Sequence, residues 1–579
     1  MEKVPFRQYA ALLSQYLKPQ WIRVTLLAFF MFTGIGLGLL NPQILRYFID
    51  TAEAGGETRS LIIAGCVFFA IGLLGQVVML INTYLGQDVG WRATNQMRGD
   101  LAHHCLHLDM SFHHERTPGV MVERVDGDTA ALSNFFSEFI LQVIGSLLFL
   151  AGVLILVARE DWRIGIALAG FVAIAIIVYN LTRNIAVPIY TAEREGYSRL
   201  FGFLEERLTG IEDLRTNGGI DYTMDRFYDV NRDVYDRAVK AHVMGEVLQT
   251  ISGVLFALGI ALTMGMGIYL YRIEAFTIGT AYLVVHYTMM LRGPLIMIGR
   301  QMNELQRATA GFRRIEALYR TAPTIADGTE ALPAAGALDI EFDQVTFGYT
   351  EDEPVLKDVS FQLTSGKSLG LLGRTGSGKT TITRLLFRFY EINGGHIRVG
   401  GKPIEKILLD DLRNQIGMVT QDVQLFNATV RENLTLFDPE IPDDRILSVI
   451  EELGLSEWYQ SLPDGLDTLL EGTGLSAGES QLLAFARVFL KDPKVVILDE
   501  PSSRLDPATE QRIDSAVQRL LKGRTSIIIA HRLGTVQQVD EIMILADGEI
   551  QEHDERKQLV QNPNSLFSRL LRTGLETFN

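Results

Sequence analysis

A chain of 579 residues exceeds what one hydrophobic core sustains, so roughly two to four domains are expected. Apolar residues at 47%, charged residues at 21% and a mean hydropathy of +0.15 exclude a disordered chain and lean away from an ordinary soluble enzyme. Two cysteines, Cys66 and Cys105, exclude a disulfide-stapled scaffold, and a formal charge of −16 excludes a dedicated nucleic-acid binder. That charge is uneven. Ala337 to Asn579 carries 25 Lys and Arg against 38 Asp and Glu, a net of −13 that leaves −3 for the first 336 residues.

Met1–Gln20 is polar and mildly basic, with Phe6, Tyr9, Leu12, Leu13, Tyr16 and Leu17 at helical spacing. It reads as an amphipathic elbow helix lying on a membrane surface rather than as a signal peptide. Six stretches that reach the roughly 20 apolar residues needed to span a bilayer follow, at 22–45, 60–85, 135–158, 162–182, 243–272 and 277–303. Pro42 in the first and Gly293-Pro294 in the last predict kinks. Arg292 beside the second kink either lines a polar cavity or snorkels to the headgroups. Links 1–2, 3–4 and 5–6 are short, whereas 86–134 and 183–242 are long and polar. The second long link holds Arg183, Arg194, Arg199, Arg207, Arg215, Arg226, Arg232, Arg237 and Lys240, and the first holds Arg92, Arg98, Arg116 and Arg124. Basic loops stay inside, so both long links and both termini are expected in the cytoplasm. A span domain is thus read over 21–320, with a linker over 321–336 marked by Pro323, Gly328, Pro333 and Gly336.

From Ala337 to Asn579 the pattern turns to short β-rich runs alternating with helices, such as Ser368–Leu372, Val495–Leu498 and Thr525–Ile529, which belong to a parallel α/β sheet. Gly373-Arg374-Thr375-Gly376-Ser377-Gly378-Lys379-Thr380 follows the first of these runs and opens a helix predicted over Thr381–Phe389. Strand, glycine-rich loop and helix together make a phosphate-binding loop, whose backbone N–H groups and helix N-terminus face a nucleotide. Lys379 is expected between the β- and γ-phosphates and Thr380 on Mg²⁺. About 120 residues later, the apolar run 495–498 ends in Asp499-Glu500, a Mg²⁺-holding carboxylate followed by a general base for the attacking water.

With these motifs in order, the chain resembles an ATP-binding cassette (ABC) transporter, an exporter-type half-transporter that fuses an all-α six-span domain to an α/β P-loop ATPase. The resemblance implies further roles. Tyr349 in Phe347-Gly348-Tyr349 stacks on adenine, Thr381 joins the nucleotide contacts, and Gln421 in Val419-Thr420-Gln421-Asp422 reaches Mg²⁺. Ser503-Arg504-Leu505-Asp506 is similar to the D-loop, with Arg504 where alanine is usual, and His531 matches the switch histidine. Ser111–Gly119 with Arg124–Asp128 resembles the first coupling segment, and Leu204–Ile211 the second.

The signature Leu-Ser-Gly-Gly-Gln stands here as Leu475-Ser476-Ala477-Gly478-Glu479. Ser476 and Gly478 can still hydrogen-bond a γ-phosphate across a head-to-tail dimer. Ala477 adds a methyl and Glu479 a negative charge, so the site completed by this signature is expected to hydrolyse poorly. With Glu500 and His531 intact, this asymmetry favours a heterodimer with a second half-transporter over a homodimer. His103, His104, Cys105, His107, Asp109, His113 and His114 form a cluster in which His103 and His107 have metal spacing, but a polar cytoplasmic extension explains it more simply.

The resemblance implies ATP-driven export of an amphipathic drug, lipid or peptide by alternating access, in a bacterial plasma membrane, using ATP and Mg²⁺ and no nucleic acid. A nucleotide-gated channel, a regulatory subunit or an importer on the same fold is the alternative, disfavoured by the intact base.

Overall fold

The computed structural model describes residues 14–134, 140–333, 336–350, 353–470, 475–500, 507–530 and 536–573. The chain divides into two compact units, Met1–Leu106 with Pro118–Thr321, and His107–Thr117 with Ala322–Asn579.

The first unit is helical. Its principal helices are Trp21–Glu53, Thr58–Leu106, Ile140–Glu160, Trp162–Thr209, Ile220–Arg272 and Ile278–Met290, the last continuing as Arg292–Arg320. Six stretches among the described residues are long and apolar enough to cross a membrane. The 49-, 48- and 53-residue helices run roughly 72–80 Å at ~1.5 Å per residue, more than twice the ~30 Å hydrocarbon core. Helices suit this environment because each satisfies its own backbone, and they leave side chains such as Phe69 and Leu80 outward at 70% and 71% exposure.

Local chemistry sets the turns. Asp161 separates two long helices, and its carboxylate accepts from the Arg163 N–H (2.7 Å), capping the returning helix. Thr277 caps the next hairpin by accepting from Thr280 N–H at 3.0 Å. Pro42 is carried inside an unbroken helix, whereas the helix breaks at Leu291, three residues before Pro294, whose ring excludes the Met290 carbonyl from the ladder. Arg292, the first residue after that break, is exposed.

The unit's apolar core includes Val153, Val157, Ile164, Leu168, Leu283 and Tyr287, all fully buried. One group of its ion pairs sits at helix ends. Arg46 meets Glu160 (2.6 Å) and Asp50 (3.6 Å), and Asp50 accepts from Gly279 N–H at 2.8 Å. Asp128, buried in the short π-helix Glu123–Asp128, takes a two-pronged donation from Arg314. Of the N-terminal segment, residues 1–13 lie outside the described residues. Tyr16 is buried, and its hydroxyl donates to Asp100 at 3.1 Å. His104 donates to the Leu318 carbonyl at 2.9 Å, and no metal-like group of three His, Cys, Asp or Glu occurs among the described residues.

In the second unit twelve strands are named: β1 (Ile340–Phe347), β2 (Leu356–Leu363), β3 (Ser368–Gly373), β4 (Gly394–Val399), β5 (Lys402–Pro403), β6 (Ile416–Val419), β7 (Ala428–Thr429), β8 (Leu469–Leu470), β9 (Val495–Asp499), β10 (Thr525–Ile529), β11 (Glu541–Ala546) and β12 (Glu549–Glu555). The larger sheet has the order β12-β11-β3-β10-β9-β6, parallel except for β12. A four-stranded antiparallel sheet, β2-β1-β4-β5, stands apart from it. Strand β9 up to Leu498 and the whole of β10 are buried because the parallel sheet is covered on both faces. Parallel pairing of β3, β10 and β9 brings their carboxyl ends to one edge, the position where open α/β sheets bind ligands.

Candidate active site

At that edge β3 runs into the loop Gly373–Gly378 and then the helix Lys379–Leu386. The helix begins two residues earlier than the sequence predicts, with Gly378 in the left-handed region (φ +105°) as its N-cap, and it ends before Arg388, itself at φ +48°. A side chain at Gly378 meets Leu356 Cδ2 at 2.6 Å, and one at Gly373 runs into the Leu545 carbonyl, so the loop is packed tightly from behind. Lys379 is buried, and its ammonium donates to the carbonyls of Gly373 (2.6 Å) and Arg374 (2.9 Å). Ser377 Oγ is buried without a partner in the same loop. An orphaned hydroxyl, a buried ammonium and a glycine turn at a helix N-terminus form the donor set that a polyphosphate fits. Arg374, Thr375 and Gly376 are exposed on the loop, and Thr380 is exposed on the first turn.

Two strands away, β9 ends in Asp499, and Glu500 follows at φ +48°, its N–H donating to the Ile529 carbonyl at 3.1 Å. That left-handed turn is uncommon for a side chain with a Cβ. Burial and the neighbouring Glu500 charge push the Asp499 carboxyl up to about 6, while Lys379 and Arg384 pull it back. Burial also lowers the Lys379 ammonium, with Glu500 and Asp499 opposing that shift. Gln421, after β6, donates through its amide to Glu500 at 3.1 Å. Sites separated by 79 residues and more in sequence therefore share one sheet edge.

Tyr349 lies beyond the end of β1. Its hydroxyl sits 3.2 Å from Thr381 Oγ1 and accepts from Arg384 Nη1 at 3.0 Å. Phe347 and Tyr390 meet its ring edge-on, each with centroids 5.1 Å apart. The sequence reading missed Arg384 and Tyr390. Thr381 and Arg384 share a helix face at i, i+3, which is the signal that could have found the arginine. His114 was also missed in this setting: its ring stacks on Tyr349 with centroids 5.9 Å apart and planes 30° apart. The segment bearing it is anchored by Asp109, which accepts from the N–H and, at 2.8 Å, from the hydroxyl of Thr324.

The signature region forms the start of the helix Ala477–Lys491. Ser476 Oγ accepts from Glu479 N–H (3.2 Å), while the Glu479 carboxylate accepts from both the Ser476 N–H and hydroxyl, each at 2.8 Å. This is a complete capping box, so Glu479 is absorbed by the helix terminus it starts. Gly478, the second residue of this helix, is buried. His531 and Ser503–Asp506 lie outside the described residues.

Known proteins share this arrangement. Residues 24–295 match the ABC transporter transmembrane region, and residues 356–503 match the family described as ABC transporter. The ATP-dependent lipid A-core flippase of Alcanivorax borkumensis is 29% identical over 97% of this chain and 97% of its own. A fatty acid ABC transporter ATP-binding/permease protein of Mycobacterium bovis is 30% identical over 80% of this chain and 74% of its own. A solved structure of a bacterial Atm1-family ABC exporter with ATP bound superposes with a TM-score of 0.80 at 25% identity, covering 96% of this chain and 98% of that one.

Proposed function

Because the chain belongs to the ABC transporters, as an exporter-type half-transporter whose ATPase is coupled to transport, we propose that it exports an amphipathic substrate by alternating access. The lipid A-core and fatty acid cargoes in its relatives' names are both amphipathic, which supports that class. It is a multi-pass membrane protein that binds ATP, and half-transporters of this fold act as dimers. In this reading both long links and both termini lie in the cytoplasm of a bacterial plasma membrane, because the links carry the basic residues.

The reading rests above all on one observation: the buried Lys379 loop and the Asp499-Glu500 turn lie at one edge of a parallel sheet, in a chain that also carries six spans. Gly373–Thr381 cradles the phosphates while Tyr349 takes the adenine. Glu500 removes the proton from water as its oxygen attacks the γ-phosphorus and the bond to the ADP oxygen breaks. Lys379 and His531 stabilise the charge that develops on the transferred group. Thr380, Gln421 and Asp499 would hold Mg²⁺, which supplies charge neutralisation between the phosphates. Each ATP is completed by Ser476 and Gly478 of the other chain's signature. Here the Ser476 hydroxyl and N–H are already engaged by Glu479, which favours a heterodimer whose second chain provides a standard signature. A homodimer predicts robust ATPase activity from this chain purified alone.

Glu500→Gln tests the base. Hydrolysis by the assembled dimer is expected to fall about 100- to 10,000-fold while ATP binding is retained. Near-normal turnover would refute the assignment.

A further inference from the structure

At one end of the membrane unit the chain turns back through three short links, 54–57, Asp161 and 273–277. They pair Trp21–Glu53 with Thr58–Leu106, Ile140–Glu160 with Trp162–Thr209, and Ile220–Arg272 with Ile278–Met290. Links this short hold the two arms of each hairpin together at that end. Any opening there must run between hairpins. The second and third hairpins share one apolar core, in which Val157, Ile164, Leu168, Leu270 and Leu283 are buried. Among the described residues the first hairpin adds only the half-buried Leu39 to that core.

Polar contacts cross from the first hairpin to the other two. Arg46 donates to Glu160 of the second hairpin at 2.6 Å, and the two side chains are 28% and 23% exposed. Asp50 accepts from the Gly279 N–H of the third at 2.8 Å. Further along the same contact, Gln43 donates to the Tyr287 hydroxyl at 3.2 Å, which donates to the Leu39 carbonyl at 2.7 Å. Gly279 lets the helices approach, since an added Cβ there stands 2.7 Å from the Arg46 carbonyl oxygen. Partly exposed ion pairs exchange for water at small cost, whereas parting the shared apolar core exposes surface that water does not repay. The bundle's line of least resistance therefore runs between the first hairpin and the other two, with Arg46 and Asp50 at its rim.

Resting on the export reading, which puts this end outside, we infer that Arg46 with Glu160 and Asp50 with Gly279 form the outer latch of the transporter. They hold the first hairpin against the other two and release when ATP turns the pathway outward. Leu283 reports on this seam: it is fully buried and lies one turn from both Gly279 and Tyr287, on the face that meets Trp21–Glu53. The full chain carrying Cys66→Ser, Cys105→Ala and Leu283→Cys is purified as it assembles and treated with a water-soluble maleimide, whose reaction rate follows the open fraction of the seam. Without nucleotide, Arg46→Gln and Glu160→Gln are each expected to speed labelling about three- to ten-fold, and the double variant little more than Arg46→Gln alone. Gly279→Ala, which wedges the seam, is expected to speed it too. Arg46→Lys keeps the charge, and Arg163→Gln alters an exposed arginine off the seam. Both are expected to stay within about two-fold of the parent. Rates unchanged by Arg46→Gln and Glu160→Gln, or raised equally by Arg46→Lys and Arg163→Gln, would overturn the latch. Adding ATP with orthovanadate is expected to speed labelling of the parent at least about ten-fold. Faster labelling in the latch variants with no response to nucleotide would instead break the alternating-access reading and leave the latch standing.

Discussion

The two units carry their specificity in opposite ways. In the cassette, charged groups do the work, and each is pinned: Lys379 by two carbonyls, Glu500 by Gln421, Glu479 by its own helix terminus. In the membrane unit the fully buried core is apolar, with Val153, Val157, Ile164 and Leu168 held by packing alone. A single substitution in the cassette should therefore change chemistry with little change in fold, and a single substitution in the bundle should do the reverse.

Lys379→Ala puts that contrast under the greatest strain. ATP hydrolysis is expected to fall about 100- to 1,000-fold, with the melting transition of the full chain nearly unmoved. A comparable loss of stability would show that the loop is a folding element first. Leu168→Ala, at a fully buried core position, should show the mirror image. The expected cost is about 2 kcal/mol, at the low end for a buried leucine because lipid recovers part of the transfer term. Turnover per folded molecule at saturating ATP should be retained, and a selective loss of turnover would mean that this core directly gates the cassette.

Glu479→Gln sharpens the reading of the signature. Glu479 competes with a γ-phosphate for Ser476 and for a helix N-terminus where one negative charge is worth about 0.3–1 kcal/mol, so removing that charge is expected to raise hydrolysis in the assembled dimer roughly two- to five-fold, read as kcat. An unchanged rate would mean that the capping box already neutralises the carboxylate.

Asp499→Asn gives the smallest effect. The carboxyl sits at about 6 in the folded chain against an ordinary 3.8, so the folded state disfavours the ionised form. The stability cost is full above about 6, shrinks as pH falls through that value, and is gone below 3.8. Without Mg²⁺ and nucleotide the variant should melt about 2–4 °C higher at pH 7.5, the shift expected from roughly 1 kcal/mol in a domain of this size. The gain should vanish near pH 4. A gain that is flat with pH would exclude a buried charge as its cause.

Much of the cassette site was legible before any coordinates because its chemistry is local. A phosphate loop needs glycines, a lysine and a hydroxyl within eight consecutive residues, and an apolar strand ending in Asp499-Glu500 declares its own burial. The spans were legible for a similar reason, since a bilayer imposes one length on every crossing. Gln421 against Glu500 and His114 against Tyr349 were not legible as contacts, because their separations of 79 and 235 residues are closed only by the fold.

By itself, then, the order of residues determined which segments cross the lipid, where the phosphate loop lies and which carboxylates follow β9, because each is a rule about neighbours along the chain. Only the tertiary structure decided that Glu479 closes a capping box on Ser476, that the break in the last span falls at Leu291, and that Gln421 donates to Glu500. Those outcomes depend on backbone angles and on packing between distant segments, and neither is written in the spacing of residue types.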